Sequence, residues 1–126
     1  MRSCDKEFIT IAESLAHKSQ MHYKLAAVIV HRKRVVAVGY NRYLGLNSNI
    51  GLSDKWSIHA EADALRKAID YVHNNPTCKL TIYVARRGQK NAKPCENCIR
   101  ILIPYIDRFV YTQGGEIIEE FAVAED

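Results

Sequence analysis

His59, Glu61, Cys95 and Cys98 are the residues of this chain whose types and spacing can do chemistry. Cysteines at i and i+3 can turn two sulfurs to one side of a first helical turn, and one imidazole completes three protein ligands for a zinc ion. Pro94 suits the start of such a turn, where its missing N–H would have had no partner. The positive end of the turn favours thiolate, the form that binds metal. Three ligands leave a fourth position open, which distinguishes a catalytic zinc and lowers the pKa of bound water towards ~7. Glu61 is a poor fourth ligand, because residues two apart point to different sides of a helix. The spacing instead predicts His59 at a helix boundary and Glu61 inside the first turn, aimed at the water as a proton carrier.

A CxxC pair with a distant histidine also marks purely structural zinc, with Cys4 or Cys78 as the missing ligand. Cys78 precedes the apolar run 80–85, whereas Cys95 follows it. As a strand, that run separates its ends by roughly 20 Å, out of easy reach of one ion. Cys4 and Cys78 are therefore expected to be free thiols.

The elements that must position these residues follow from periodicity. Phe8, Ile11, Ala12, Leu15 and Ala16 recur at helical spacing, so residues 5–18 are expected to form an amphipathic helix. Residues 25–30 and 35–40 are short β-rich runs that read as a buried hairpin, although its turn lacks the usual glycine or asparagine. Residues 41–57 form a long polar connection, and a second helix is expected over 58–73 with Ala62, Leu65, Ile69 and Val72 as its buried stripe. Strand 80–85, basic loop 86–93, helix 95–103 and strand 108–112 follow. Gln113-Gly114-Gly115 turns the chain into 116–123, a strand or a short helix. Helices alternating with strands predict an α/β architecture, one sheet covered on both faces, with the site where the second and third helices begin.

Composition excludes several classes. The chain has 126 residues, 48% apolar and 25% charged, as expected of one globular domain spanning 1–126. The longest aliphatic run, 25–30, is far too short to span a bilayer, and the N-terminal residues lead to no signal-like apolar stretch. A cytoplasmic location is the expectation. The net charge of +4 is unevenly placed. Arg86, Arg87, Lys90, Lys93 and Arg100 surround the cysteine motif, and a second cluster, His31 to Arg34, reads as a solvated hairpin tip.

His59-Ala60-Glu61 followed by Pro94-Cys95-Glu96-Asn97-Cys98 matches the H-x-E and P-C-x-x-C signature of zinc nucleobase deaminases. Motif pair and element order together resemble the cytidine and deoxycytidylate deaminase superfamily over residues 5–112. The resemblance implies a three-layer α/β/α sandwich with a mixed central sheet, zinc held by His59, Cys95 and Cys98, and proton transfer by Glu61. Gly39-Tyr40-Asn41 looks like the strand-end segment whose asparagine contacts the sugar in several branches. The expected substrate-binding residues are Asn41, Ala60, Arg86 and Arg87. Some details differ between branches. The free-nucleoside cytidine deaminases place cysteine where His59 stands. Arg42 follows Asn41 where deoxycytidylate deaminases usually carry glycine, and Lys93 stands where bacterial-type tRNA deaminases usually carry glutamate. Only 14 residues follow Thr112, so a terminal antiparallel hairpin is expected rather than the longer ending of the nucleotide and tRNA branches.

The lead expectation is hydrolytic deamination of a cytosine nucleotide, with deoxycytidylate first. The alternatives are a deaminase of cytosine or adenine in single-stranded nucleic acid, and an inactive zinc-stabilised binding domain. Glu61 argues against the last. The stretch 86–100 carries no aromatic residue to stack on bases, although Tyr40, Tyr43 and Trp56 flank the long loop. Expected partners are a small-molecule nucleotide and no membrane, with nucleic acid and a homo-oligomer left open.

Overall fold

A computed structural model describes residues 3–19, 24–43, 57–75, 79–86 and 91–121. Helix α1 (Ser3–Ala16) leads into strands β1 (Leu25–His31) and β2 (Arg34–Tyr40). The two-residue strands β3 (Arg42–Tyr43) and β4 (Ser57–Ile58) pair antiparallel and precede helix α2 (Ala60–Asn74). Strand β5 (Leu80–Arg86), helix α3 (Glu96–Leu102) and strands β6 (Ile106–Gln113) and β7 (Glu116–Phe121) complete the order. The small β3–β4 ribbon joins the two ends of the polar connection expected over 41–57.

The main sheet has the order β2-β1-β5-β6-β7. Its pairs are antiparallel except β5 with β6, which run parallel because α3 carries the chain back between them. Strand β7 returns antiparallel to β6, which decides for a strand over the C-terminal run. Gly114 and Gly115 make the turn at φ 59° and 80°, the left-handed geometry that a two-residue hairpin demands. The β1–β2 hairpin imposes the same conformation on Arg32 and Lys33, at φ 50° and 64°. Neither residue favours that conformation, so the strand pairing overrides local preference here.

Helix α1 packs on one face of the sheet through Phe8, Ile9 and Ala12 against Val28, Val30, Tyr83 and Val110. The opposite face carries α2 and α3 against Ala27, Ile29, Ile82, Val84 and Phe109. This is the mixed-sheet α/β/α sandwich. The stripe expected of α2 needs correction. Leu65 is buried, but Ala62, Ile69 and Val72 are only half-buried, and the sheet-facing residues include Ala60, Ala64 and Ala68. Small residues sit there because the helix backbone lies almost on β2. A Cβ at Gly39 would stand 2.2 Å from the Ala64 nitrogen and 2.3 Å from the Ala60 oxygen. Among the described residues, no helix is long and apolar enough to cross a membrane.

Candidate active site

Two helix starts meet at one point. His59 is the N-cap of α2 and Cys95 the N-cap of α3, both extended, at φ −72°, ψ 151° and φ −72°, ψ 163°. Neither side chain caps its own helix, and each backbone carbonyl accepts the first helical bond, from Asp63 and Ile99. The rings and sulfurs are thereby turned towards each other. Pro94 sits one residue before this cap, at the entry to the turn, and Cys98 lies on the first turn.

His59 Nδ1 is 3.2 Å from Cys98 Sγ and 3.6 Å from Cys95 Sγ. All three donor atoms lie within 4.8 Å of one another. Tetrahedral zinc, at ~2.0–2.1 Å from nitrogen and ~2.3 Å from sulfur, sets such neighbours roughly 3.6 Å apart, so the donor set fits the ion. Cys98 is buried, while His59 and Cys95 are exposed.

Glu61, in the first turn of α2, is 4% exposed. Burial pushes its carboxyl pKa above the ordinary value, against the opposing pull of its own backbone N–H, of His59 and of Cys98. The Cys98 thiol is pushed up as well, first by burial and then by the Glu61 carboxylate and Cys95. A divalent cation reverses that shift by binding the thiolate directly.

A cleft of about 140 Å³ opens over this group. His59, Glu61 and Cys95 form one wall, with Leu25 and Asn41 from the strand ends and Asn91, Ala92 and Lys93 from the segment before α3. That segment is held to the sheet by the Ala92 N–H, which donates to the Thr112 carbonyl at 2.8 Å.

The four motif residues come together, and Asn41 lines the same cleft. Its Oδ1 accepts from Ser19 Oγ at 2.5 Å and from the Leu25 N–H at 2.9 Å. Ala60 is buried against Gly39 and is not among the lining residues. Arg86 ends β5 opposite Leu25, so it leaves the sheet on the face of the cleft without lining it. Arg87, Lys90, Cys78 and Trp56 lie outside the described residues. Sequence reasoning missed Ser19, whose partner is 22 positions away. It also missed Asp63, whose identity two places after Glu61 was the available signal.

The description "Cytidine and deoxycytidylate deaminase zinc-binding region" belongs to a family profile that matches residues 2–113. This chain is a member of that family, and so of the zinc-dependent hydrolases that act on a ring C–N bond. A search of curated proteins found no match. Among solved structures, it is similar to a cytidine deaminase from Burkholderia pseudomallei, at 20% identity and TM-score 0.71, covering 97% of this chain and 94% of that one. A dCMP deaminase from the cyanophage S-TIM5, solved in complex with dCMP and dUMP, shares 17% identity at TM-score 0.63, over 90% and 84% of the two chains. Acinetobacter baumannii RibD matches at 20% identity and TM-score 0.58, over 86% of this chain but 28% of its own. At these identities the likeness concerns the fold.

Proposed function

We propose that this protein hydrolyses the exocyclic amine of a cytosine nucleotide, deoxycytidylate to deoxyuridylate and ammonia being the foremost reaction. The observation that carries the reading is Glu61, a buried carboxyl beside the His59–Cys95–Cys98 donor set and opening on the cleft. His59, Cys95 and Cys98 would hold zinc, which supplies a Lewis acid and lowers the pKa of water. Glu61 takes the proton of the attacking water as its oxygen bonds C4. It delivers that proton to ring N3, then carries a second from the new hydroxyl to the departing amine. The C4–N bond breaks, and ammonia leaves with uracil as the product base. Burial raises the pKa of this carboxyl, which makes its carboxylate a stronger base for the first half of the cycle than an exposed one.

Asn41 is assigned to the sugar. Lys93, at the cleft, and Arg86, on the same face, are assigned to phosphate with Arg87. The nucleic-acid alternative is less favoured, because the Arg32–Lys33–Arg34 tip ends β1 at the end opposite Leu25 and cannot extend the cleft. A free nucleoside substrate has one observation in its favour, since Lys93 pairs with Glu120 at 3.9 Å. A cytoplasmic setting and a single-domain organisation over 1–126 complete the proposal.

The test is ammonia release from deoxycytidine, deoxycytidylate and a cytosine oligonucleotide at two salt concentrations, with metal analysis of Cys95→Ala and Cys98→Ala. Preference for deoxycytidylate and loss of about one zinc in both variants are expected. Equal rates on deoxycytidine discard the phosphate assignment, and a strongly salt-dependent preference for the oligonucleotide discards the small-molecule reading.

A further inference from the structure

Asp63 is fully buried and collects four donors. Tyr40 N–H reaches its Oδ2 at 3.1 Å, Lys67 Nζ the same oxygen at 3.0 Å, Arg42 Nε its Oδ1 at 3.3 Å and Arg66 that oxygen at 3.1 Å. A buried charge held by this many donors tolerates little displacement. Two of the donors matter for their place in the chain. Tyr40 and Arg42 stand on either side of Asn41, and Asp63 stands two residues beyond Glu61 on the first turn of α2. Lys67 adds a second tie, donating to the Val38 carbonyl at 3.1 Å. Gly39 lets the two backbones meet without an intervening side chain.

We infer that Asp63 is a positioning residue for substrate, its carboxylate clamping both neighbours of Asn41 to the helix that carries Glu61. Sugar contact and proton carrier then keep a fixed separation across the cleft. From the other side, Ser19 and Leu25 fix the Asn41 side chain itself. The inference rests on the reading of Asn41 as the sugar contact, and it assigns to Asp63 no contact with substrate.

The experiment is a double-mutant cycle on the zinc-loaded enzyme with Asp63→Asn and Asn41→Ala, reading KM, kcat, zinc content and Tm on the preferred nucleoside or nucleotide. Asp63→Asn is expected to raise KM about tenfold, the scale of one hydrogen bond to substrate, with kcat within about threefold and zinc retained. The double variant is expected to be no worse in KM than Asn41→Ala, because both act through one contact. If Asn41→Ala raises KM and Asp63→Asn lowers only Tm, or if the two effects add, the positioning role is overturned. An Asn41→Ala enzyme of unchanged KM overturns the sugar-contact reading and this inference with it. Should Asp63→Asn fail to fold, Arg42→Gln, whose side chain is partly exposed, carries the test. A rise in its KM of about threefold supports the clamp, and an unchanged KM overturns it.

Discussion

On the α1 face of the sheet, Arg108 is buried between Asp5 and Glu119, and the Tyr83 hydroxyl donates to Asp5 at 2.7 Å. On the α2–α3 face, Glu61 and Cys98 are buried side by side with His59 and Cys95. In the first cluster one guanidinium serves two carboxylates, and its hydrogen bonds to Asp5 and Glu119 hold its pKa above the ordinary value despite burial. In the second cluster, burial and the neighbouring acid both raise the Cys98 thiol, and desolvation raises Glu61. One face spends its buried charges on joining α1 to β6 and β7. The other, beside the fixed Asp63 carboxylate, holds an acid and a thiol whose pKa values burial displaces, as is common where protons are transferred. The same sheet therefore separates a structural network from a reactive one.

That contrast breaks first at Glu61. Glu61→Gln is expected to cut turnover by about 10²–10⁴-fold while zinc content stays at the wild-type level. Its Tm should be equal or higher, because a desolvated carboxylate has been removed. Arg108→Met should behave in the opposite way. It leaves Asp5 buried without its main partner, and a loss of about 3–5 kcal/mol in unfolding free energy is expected, read by denaturant titration. Activity per folded molecule and zinc content should be unchanged. If Glu61→Gln proved as destabilising as Arg108→Met, or if the folded Arg108→Met enzyme were slow, the division between the two faces would be wrong.

The same division explains what could be seen in the sequence. Local signals sufficed for α1, the strands β1 and β2, the β6–β7 turn, α3 and the four motif residues, because each rests on periodicity, turn chemistry or short spacing. Gly114-Gly115 announced its turn, whereas Arg32-Lys33 is a turn only because β1 and β2 pair across it. The stripe of α2 was misjudged because hydrophobicity favours Ile69 and Val72, while contact with β2 at Gly39 demands alanine. Arg108 and Asp5 are 103 residues apart, and nothing in either neighbourhood foretells the pair. Ser19 and Asn41 are likewise joined only by the fold. Chemistry was legible where it needs rare residues at fixed spacing; its supports were not, since common polar residues can serve them at any separation.

The smallest expected effect lies where the contrast is least sharp, at the ion pair of Lys93 with Glu120. Its ends are 48% and 45% exposed and 3.9 Å apart, so the pair contributes only about 0–1 kcal/mol. Glu120 also accepts from the buried Tyr111 hydroxyl at 2.8 Å, which joins the mouth of the cleft to the β6–β7 hairpin. In Glu120→Gln, Lys93 loses its internal counter-charge, and the preference for deoxycytidylate over deoxycytidine should rise about two- to fivefold. Tyr111 reports independently on whether the carboxylate has gone. Burial first, and Glu120 second, push its phenol up to about 12. With the folded pKa raised, the neutral phenol favours the fold fully below pH ~10, and that stability is lost as pH rises through about 12. Tyrosinate absorbance in Glu120→Gln should therefore show this midpoint drawn back towards the ordinary value, though not to it, because burial remains. A shifted Tyr111 midpoint with an unmoved substrate preference would show that Lys93 does not meet the phosphate. The mouth of the cleft would then belong with the structural face, and phosphate recognition would have to come from Arg86 or Arg87.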